Sequence, residues 1–250
     1  MLTVSPPLNH DIAPDRSVTS EAALDASGAS GLALFDLDQT LLPIDSDFEW
    51  GRFLVGIGAV DGTEYDRRNR QFFDQYHAGT LDIGEFLAFQ LAPLAAWPAE
   101  RLDHWRARFL EEVIRPKILA PARTLVERHR ADGDLCAIVT ATNEFVTRPI
   151  AAEFGVEHLI ATEVEFVDGR YTGRPRGTPS FRQGKVERTG EWLASLGQRW
   201  DGFARTYFYS DSLNDLPLLE RVSHPIATNP DPQLAALAQE RGWRTLQLFE

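Results

Sequence analysis

The chain has 250 residues, enough for one large domain or a core carrying a smaller insertion, and its 43% hydrophobic and 25% charged residues exclude a disordered or fibrous chain. A formal net charge of -12 excludes a nucleic-acid partner, because binding a phosphate backbone needs a concentrated basic surface. A small ligand fits better, and an anionic one must be neutralised locally by a metal ion or a few placed Lys and Arg side chains.

Residues 1–30 are rich in Ser, Pro, Asp and Ala without periodicity, which predicts a flexible N-terminal extension. They lack a basic start followed by an apolar run, and no later segment holds about eighteen uninterrupted apolar residues. Neither a signal peptide nor a membrane span is therefore expected, and the expected location is cytoplasmic. From Gly31, the run Leu32-Ala33-Leu34-Phe35 reads as a buried strand that ends abruptly at Asp36-Leu37-Asp38.

From about Ser46 to Ile118 the spacing becomes helical, with Trp50, Phe53, Leu54 and Ile57 on one face and Phe72, Phe73 and Tyr76 on another. Asp82 with Glu85 resembles a capping box, and Pro98 can open a helix through Leu102, Trp105, Phe109 and Val113. After Pro121, candidate strands at 135–140, 159–164, 206–210 and 225–228 alternate with helical segments, which implies a parallel sheet. The first of these contains Cys136, the sole cysteine, which excludes a disulfide framework within the chain and reads as a buried thiol in a reducing compartment. Asp168-Gly169 between alternating residues predicts a projecting hairpin over 165–172. The expected fold is α/β: a Rossmann-like parallel sheet with helices on both faces over 31–45 and 119–250, plus an inserted small helical cap over 46–118.

Polar residues follow these apolar segments or open a helix at Asp36 and Asp38, Thr140, Lys185, and Asp211 with Asp215. Residues directly after separate parallel strands meet in one crevice at the carboxyl edge of the sheet. Carboxylates converging there would repel one another without a divalent cation, and hard oxygen ligands suit Mg²⁺, which shares its shell with water and phosphate. Lys185 and the Thr140 hydroxyl would complete the neutralisation of a bound phosphate.

These residues, in this order, resemble the haloacid dehalogenase superfamily in the branch containing the phosphoserine phosphatases, over roughly residues 31 to 230. Phe35-Asp36-Leu37-Asp38-Gln39-Thr40 looks like the first motif of that family, Ile138-Val139-Thr140 the second, Gly184-Lys185 the third and Ser210-Asp211-Ser212-Leu213-Asn214-Asp215 the fourth. The resemblance implies that Asp36 attacks phosphorus while Asp38 protonates the leaving oxygen and then activates a water. It implies that Thr140 and Lys185 hold the phosphoryl group. Asp36, the Asp38 main-chain carbonyl and Asp211 would bind magnesium, with Asp215 supporting the metal site or Lys185. Gln39 departs from the pattern, since relatives often have glycine or another small or polar residue there.

The resemblance also carries substrate expectations. Asp45 matches by position a residue that contacts the substrate amine in phosphoserine phosphatases, Arg67 or Arg68 could serve as the arginine for a substrate carboxylate, and Asn214 joins the candidate contacts. The string from Asp36 to Asp47 looks like a bacterial subgroup often assigned to histidinol phosphate, an ester with an amine and no carboxylate. The expected activity is a Mg²⁺-dependent phosphatase acting on a small phosphate ester, with histidinol phosphate favoured over phosphoserine and over a broad range of small esters. A receiver-type signalling module is disfavoured by motif order, and a dehalogenase by the presence of Asp38 and Asp211. The histidines show no paired ligand spacing, neither Gly56-Ile57-Gly58 nor Gly177 to Lys185 makes a nucleotide motif, and Arg170, Arg174, Arg176 and Arg182 read as a solvated loop face.

Overall fold

The computed structural model describes residues 31–249, so the expected N-terminal extension lies outside the described residues. A seven-stranded sheet runs in the order β4-β3-β2-β1-β5-β6-β7. Its strands are β1 (Gly31–Phe35), β2 (Leu135–Asn143), β3 (His158–Val167), β4 (Arg170–Arg176), β5 (Arg205–Ser210), β6 (His224–Thr228) and β7 (Arg244–Leu246). Every pairing is parallel except β3 with β4. All five residues of β1 are buried, as a central parallel strand covered on both faces requires.

The two-residue period of β1 divides the interior. Ala33 and Phe35 join a cluster with Trp50, Val126, Val146 and Ile150, whereas Leu32 and Leu34 join Leu193, Leu218, Leu219 and Leu234 on the other face. Helices α5 (Ala120–Ala131) and α6 (Glu144–Glu153) thus cover one side, and α7 (Gln183–Ser195), α8 (Leu216–Leu219) and α9 (Pro232–Arg241) the other. Cys136 is buried in the first cluster.

Between β1 and β2 the chain forms α1 (Ser46–Gly56), α2 (Gly62–His77), α3 (Ile83–Ala96) and α4 (Ala99–Phe109), which continues into a π turn. Asp45, Asp61 and Asp82 each accept a main-chain N–H at the start of the first three helices. No helix among the described residues is long and apolar enough to cross a membrane.

Two details differ from the sequence reading. The Asp168-Gly169 hairpin does not stand free: it forms the sheet edge, where the Tyr171 ring meets Phe145 at 5.2 Å and Gly173 lies 3.3 Å, measured from an added Cβ, from the Leu91 carbonyl on α3. The three-residue strand β7, too short for a periodic signal, closes the other edge.

Two local features aim side chains at the carboxyl edge. The pairing of β2 with β3 shifts register between Val139 and Asn143, so the segment 140–142 bulges out of the ladder. Gly184, at the start of α7, packs so closely on the preceding loop that an added Cβ would lie 2.0 Å from the Pro179 carbonyl oxygen. Gly184→Ala must push α7 away and carry Lys185 with it, so it should lower the unfolding free energy by about 1–3 kcal/mol, read from the urea midpoint. An unchanged midpoint would mean that the Pro179 loop yields freely.

Candidate active site

β1 ends at Asp36, whose N–H donates to the Tyr209 carbonyl at 2.9 Å and so continues the ladder for one residue more. Its carboxylate accepts from Lys185 Nζ at 2.8 Å, and the same Nζ donates to Asp215 Oδ2 at 2.7 Å. Lys185 is 0% exposed. Burial works against its charge, but Asp215 and Asp36 outweigh that and raise its pKa, keeping it an ammonium. Ser210 Oγ donates to Asp215 Oδ2 at 2.8 Å, which fixes the far side of the lysine clamp.

Asp38 is held by three donors. Oδ1 accepts the Ser46 N–H at 2.6 Å, while Oδ2 accepts from Thr142 Oγ1 at 2.8 Å and, more weakly, from Thr140 Oγ1 at 3.4 Å. The bulge in β2 brings both threonines to the same carboxylate. Asp211, directly after β5, accepts from Thr40 Oγ1 at 3.1 Å. Gln39 has φ +57°, in the left-handed region where glycine is most at ease. Its main-chain carbonyl accepts from Asn229 at 3.0 Å.

These residues open into a cleft lined by the carboxylates of Asp36, Asp38, Asp45, Asp47 and Asp211. Its other wall carries the rings of Phe48, Phe72, Phe73, Tyr76, Phe86 and Phe181, with the amides of Asn69 and Gln90. Among the described residues that line it there is no Lys or Arg. Burial, with Lys185 opposing and Asp215 and Asp38 adding, pushes Asp36 up to about 7. Burial and neighbouring acids push Asp38 and Asp45 up to about 6. Asp211 is raised well above the usual carboxylate range by burial, Asp36 and Asp215.

This excess of buried negative charge is what a divalent cation relieves. Among the described residues no three His, Cys, Asp or Glu side chains form a metal cage. Asp36 and Asp211, close enough that Asp36 helps to raise Asp211, are hard oxygen donors of the kind that suits magnesium.

The expected substrate residues fall differently. Asp45 lines the cleft, but its Oδ1 accepts the Phe48 N–H at 2.8 Å as the cap of α1. Arg67 points outward, its side chain 63% exposed and paired with Glu64, and Arg68 lies over the Phe72 and Phe89 rings at 5.3 and 5.5 Å; neither lines the cleft. Asn214 does not line it either: its Oδ1 accepts from Arg182 Nε at 3.1 Å and its Nδ2 donates to the Tyr76 carbonyl at 2.9 Å. Arg182 itself reaches the Gly79 carbonyl rather than solvent alone. Thr142, Asp47, Asn69 and Gln90 escaped the sequence reading, although Tyr65, Asn69 and Phe72 recur at helical spacing and share the buried face of α2.

The family model for haloacid dehalogenase-like hydrolases matches residues 33–220. A histidinol-phosphatase of Neisseria meningitidis serogroup C (strain 8013) is 45% identical over 216 residues, 86% of this chain and 97% of the relative. A phosphoserine phosphatase of Mycobacterium tuberculosis (strain ATCC 25618 / H37Rv) is 31% identical over 216 residues, 84% of this chain and 68% of that one. Among solved structures, a protein of unknown function from Bordetella pertussis Tohama I has a TM-score of 0.85 at 53% identity, covering 89% of this chain and 100% of the other. A phospho-aspartyl intermediate analogue of phosphoserine phosphatase has a TM-score of 0.62 at 18% identity over 89% and 95% of the two chains, a likeness of fold.

The raised carboxyls set a pH dependence. In the folded, metal-free protein Asp36 keeps its proton up to about 7, whereas an ordinary aspartate at 3.8 has lost it. Between those values the folded state binds more protons, so stability falls as pH rises and is regained as pH falls. The thermal midpoint of the metal-free protein should therefore rise when pH is lowered from about 8 to about 6, and saturating magnesium should flatten or reverse that slope. A slope of the same sign and size with and without magnesium would contradict this account.

Proposed function

The chain belongs to the haloacid dehalogenase-like hydrolases and is a phosphatase, and on that premise we propose that it hydrolyses histidinol phosphate through an aspartyl phosphate on Asp36. Phosphatases of this family generally use Mg²⁺. Here Asp36, Asp211 and the Asp38 carbonyl would hold it, and it would supply positive charge to offset the phosphoryl oxygens.

In the first half-reaction a carboxylate oxygen of Asp36 attacks phosphorus, the ester P–O bond breaks, and the Asp38 carboxyl passes its proton to the leaving alkoxide. In the second, the Asp38 carboxylate takes a proton from water as that water attacks phosphorus. The bond between Asp36 and phosphorus then breaks, and phosphate leaves with Asp38 protonated again. Lys185 stays charged throughout and holds the attacking carboxylate in place, and Thr140 stands ready to donate to the phosphoryl group. A pKa for Asp38 of about 6 suits a group that must both give and take a proton near neutral pH.

One observation carries the choice of substrate: a cleft wall of aromatic rings and carboxylates, with no Lys or Arg among the described residues that line it. Histidinol phosphate brings an amine and an imidazole, which suit acids and rings, and has no carboxylate for the acidic wall to repel. Phosphoserine brings a carboxylate that would meet no cation there. The helices of residues 46–118 would act as the cap that supplies this wall and excludes water from the chemistry. The 45% identity to a histidinol-phosphatase points the same way.

Phosphate release from histidinol phosphate, phosphoserine and 4-nitrophenyl phosphate, with and without magnesium, tests the reading. Histidinol phosphate should be hydrolysed with a kcat/KM about tenfold or more above phosphoserine, only with magnesium. Asp36→Asn should reduce kcat on the order of 10⁴-fold or more, and Asp38→Asn about 10²- to 10⁴-fold. Preference for phosphoserine would overturn the substrate assignment, and full activity of Asp36→Asn would overturn the mechanism.

A further inference from the structure

Asp45 and Asp47 are the two carboxylates in the cleft that the chemistry of phosphate transfer does not use, and Asp47 is the less supported of them. It is 4% exposed, and among the described residues its carboxylate accepts one hydrogen bond, a long one of 3.3 Å from Asn143 Nδ2. The charged groups that act on it are Asp45 and Asp38, both acids, and the nearby Tyr65 hydroxyl donates elsewhere, to Gln90 Oε1 at 3.2 Å. Asp45 differs: its carboxylate accepts main-chain N–H groups from Phe48 and Asp47 as the cap of α1. A buried carboxylate facing other acids across a cavity without a cation calls for one from the ligand.

We propose that Asp47, positioned by Asn143, is the residue that selects substrates with a cationic nitrogen, and that Asp45 serves mainly to build the helix start that aims it. Asn143 suits the supporting role because it is itself fixed: it ends β2 and its Oδ1 accepts the Val146 N–H at 3.2 Å as the cap of α6. The adjoining amides are fixed too, Gln90 Nε2 donating to Asn69 Oδ1 at 3.2 Å and Asn69 Nδ2 to the Phe48 carbonyl at 2.9 Å. The aromatic rings of the cleft then surround the cation and the group that carries it. This rests on the phosphatase reading of the site but not on histidinol phosphate in particular, because any amine-bearing ester would meet the same carboxylate.

Asp47→Asn keeps the shape and the bond from Asn143 while removing the charge. The measurement is kcat/KM with magnesium for histidinol phosphate, phosphoserine and phosphoethanolamine, each divided by kcat/KM for 4-nitrophenyl phosphate, which has no cationic nitrogen. In the variant, the ratio for the amine ester that the wild type prefers should fall about 10- to 100-fold, mainly through KM, as loss of a charged hydrogen bond predicts. Equal losses on all esters, or an undiminished ratio, would overturn the proposal, as would a wild type with no preference for amine esters. A wild type that prefers phosphoserine and loses that preference in Asp47→Asn would support the proposal while overturning histidinol phosphate as the substrate.

Discussion

Lys185 has its ammonium group wholly inside the protein, 2.8 Å from Asp36 on the first strand and 2.7 Å from Asp215 beyond the fifth. Removing a lysine from water is so costly that the fold must bring two acids to it, and those acids come from segments 149 and 30 residues away. The parallel sheet meets this demand. Because β1 lies between β2 and β5, the residues that leave their carboxyl ends arrive around one point. The contact of Gly184 with the Pro179 loop then sets how deeply α7 can drive the lysine into that point.

One lysine does not neutralise what gathers there. Asp36 and Asp215 share its charge, and Asp38 and Asp211 have hydroxyl and main-chain donors but no cation of their own. Burial first, and repulsion among the neighbouring acids after it, raises the carboxyl pKa values. A site short of positive charge prefers ligands that arrive with a cation, so the same acidity that draws a metal ion also explains why a phosphate dianion can enter an acidic chain. An uncharged nucleophile site would have needed the protein to carry its own basic cluster, and the cleft wall has none among the described residues.

The acids of the catalytic end were legible because they follow apolar runs that burial on both faces turns into central strands, so adjacency to a strand end stood in for geometry. Thr142 was not legible, since the candidate strand ended at Thr140 and Thr142 reaches Asp38 where the pairing of β2 with β3 slips between Val139 and Asn143. The substrate wall was harder still. Asn69 and Gln90 are polar residues buried where α2 packs against α1 and α3, and the spacing of Tyr65, Asn69 and Phe72 marks the buried face of α2 but not what that face meets. Arg67 and Arg68 attracted interest by residue type, yet the face of α2 marked by Tyr65, Asn69 and Phe72 already excluded Arg67 at 3.6 residues per turn.

The division of labour between the two halves follows from these origins. Asp36, Thr140 and Asp211 lie at strand ends of the sheet, whereas the rings that line the cleft come mainly from α1, α2 and α3. The end of α2 is fastened to the sheet side by small polar links: Gln39 to His77 at 3.2 Å, Asn214 to the Tyr76 carbonyl at 2.9 Å, and Arg182 to the Gly79 carbonyl. Each joins a loop adjoining a catalytic residue to one turn of helix, and none buries much apolar surface. Packing of Phe72 and Leu81 on Phe181 adds only a small apolar cluster beside them. Such contacts hold the end of α2 against the carboxyl edge of the sheet and keep Tyr76 close enough to Asp215, Asp36 and Asp211 to feel their charge.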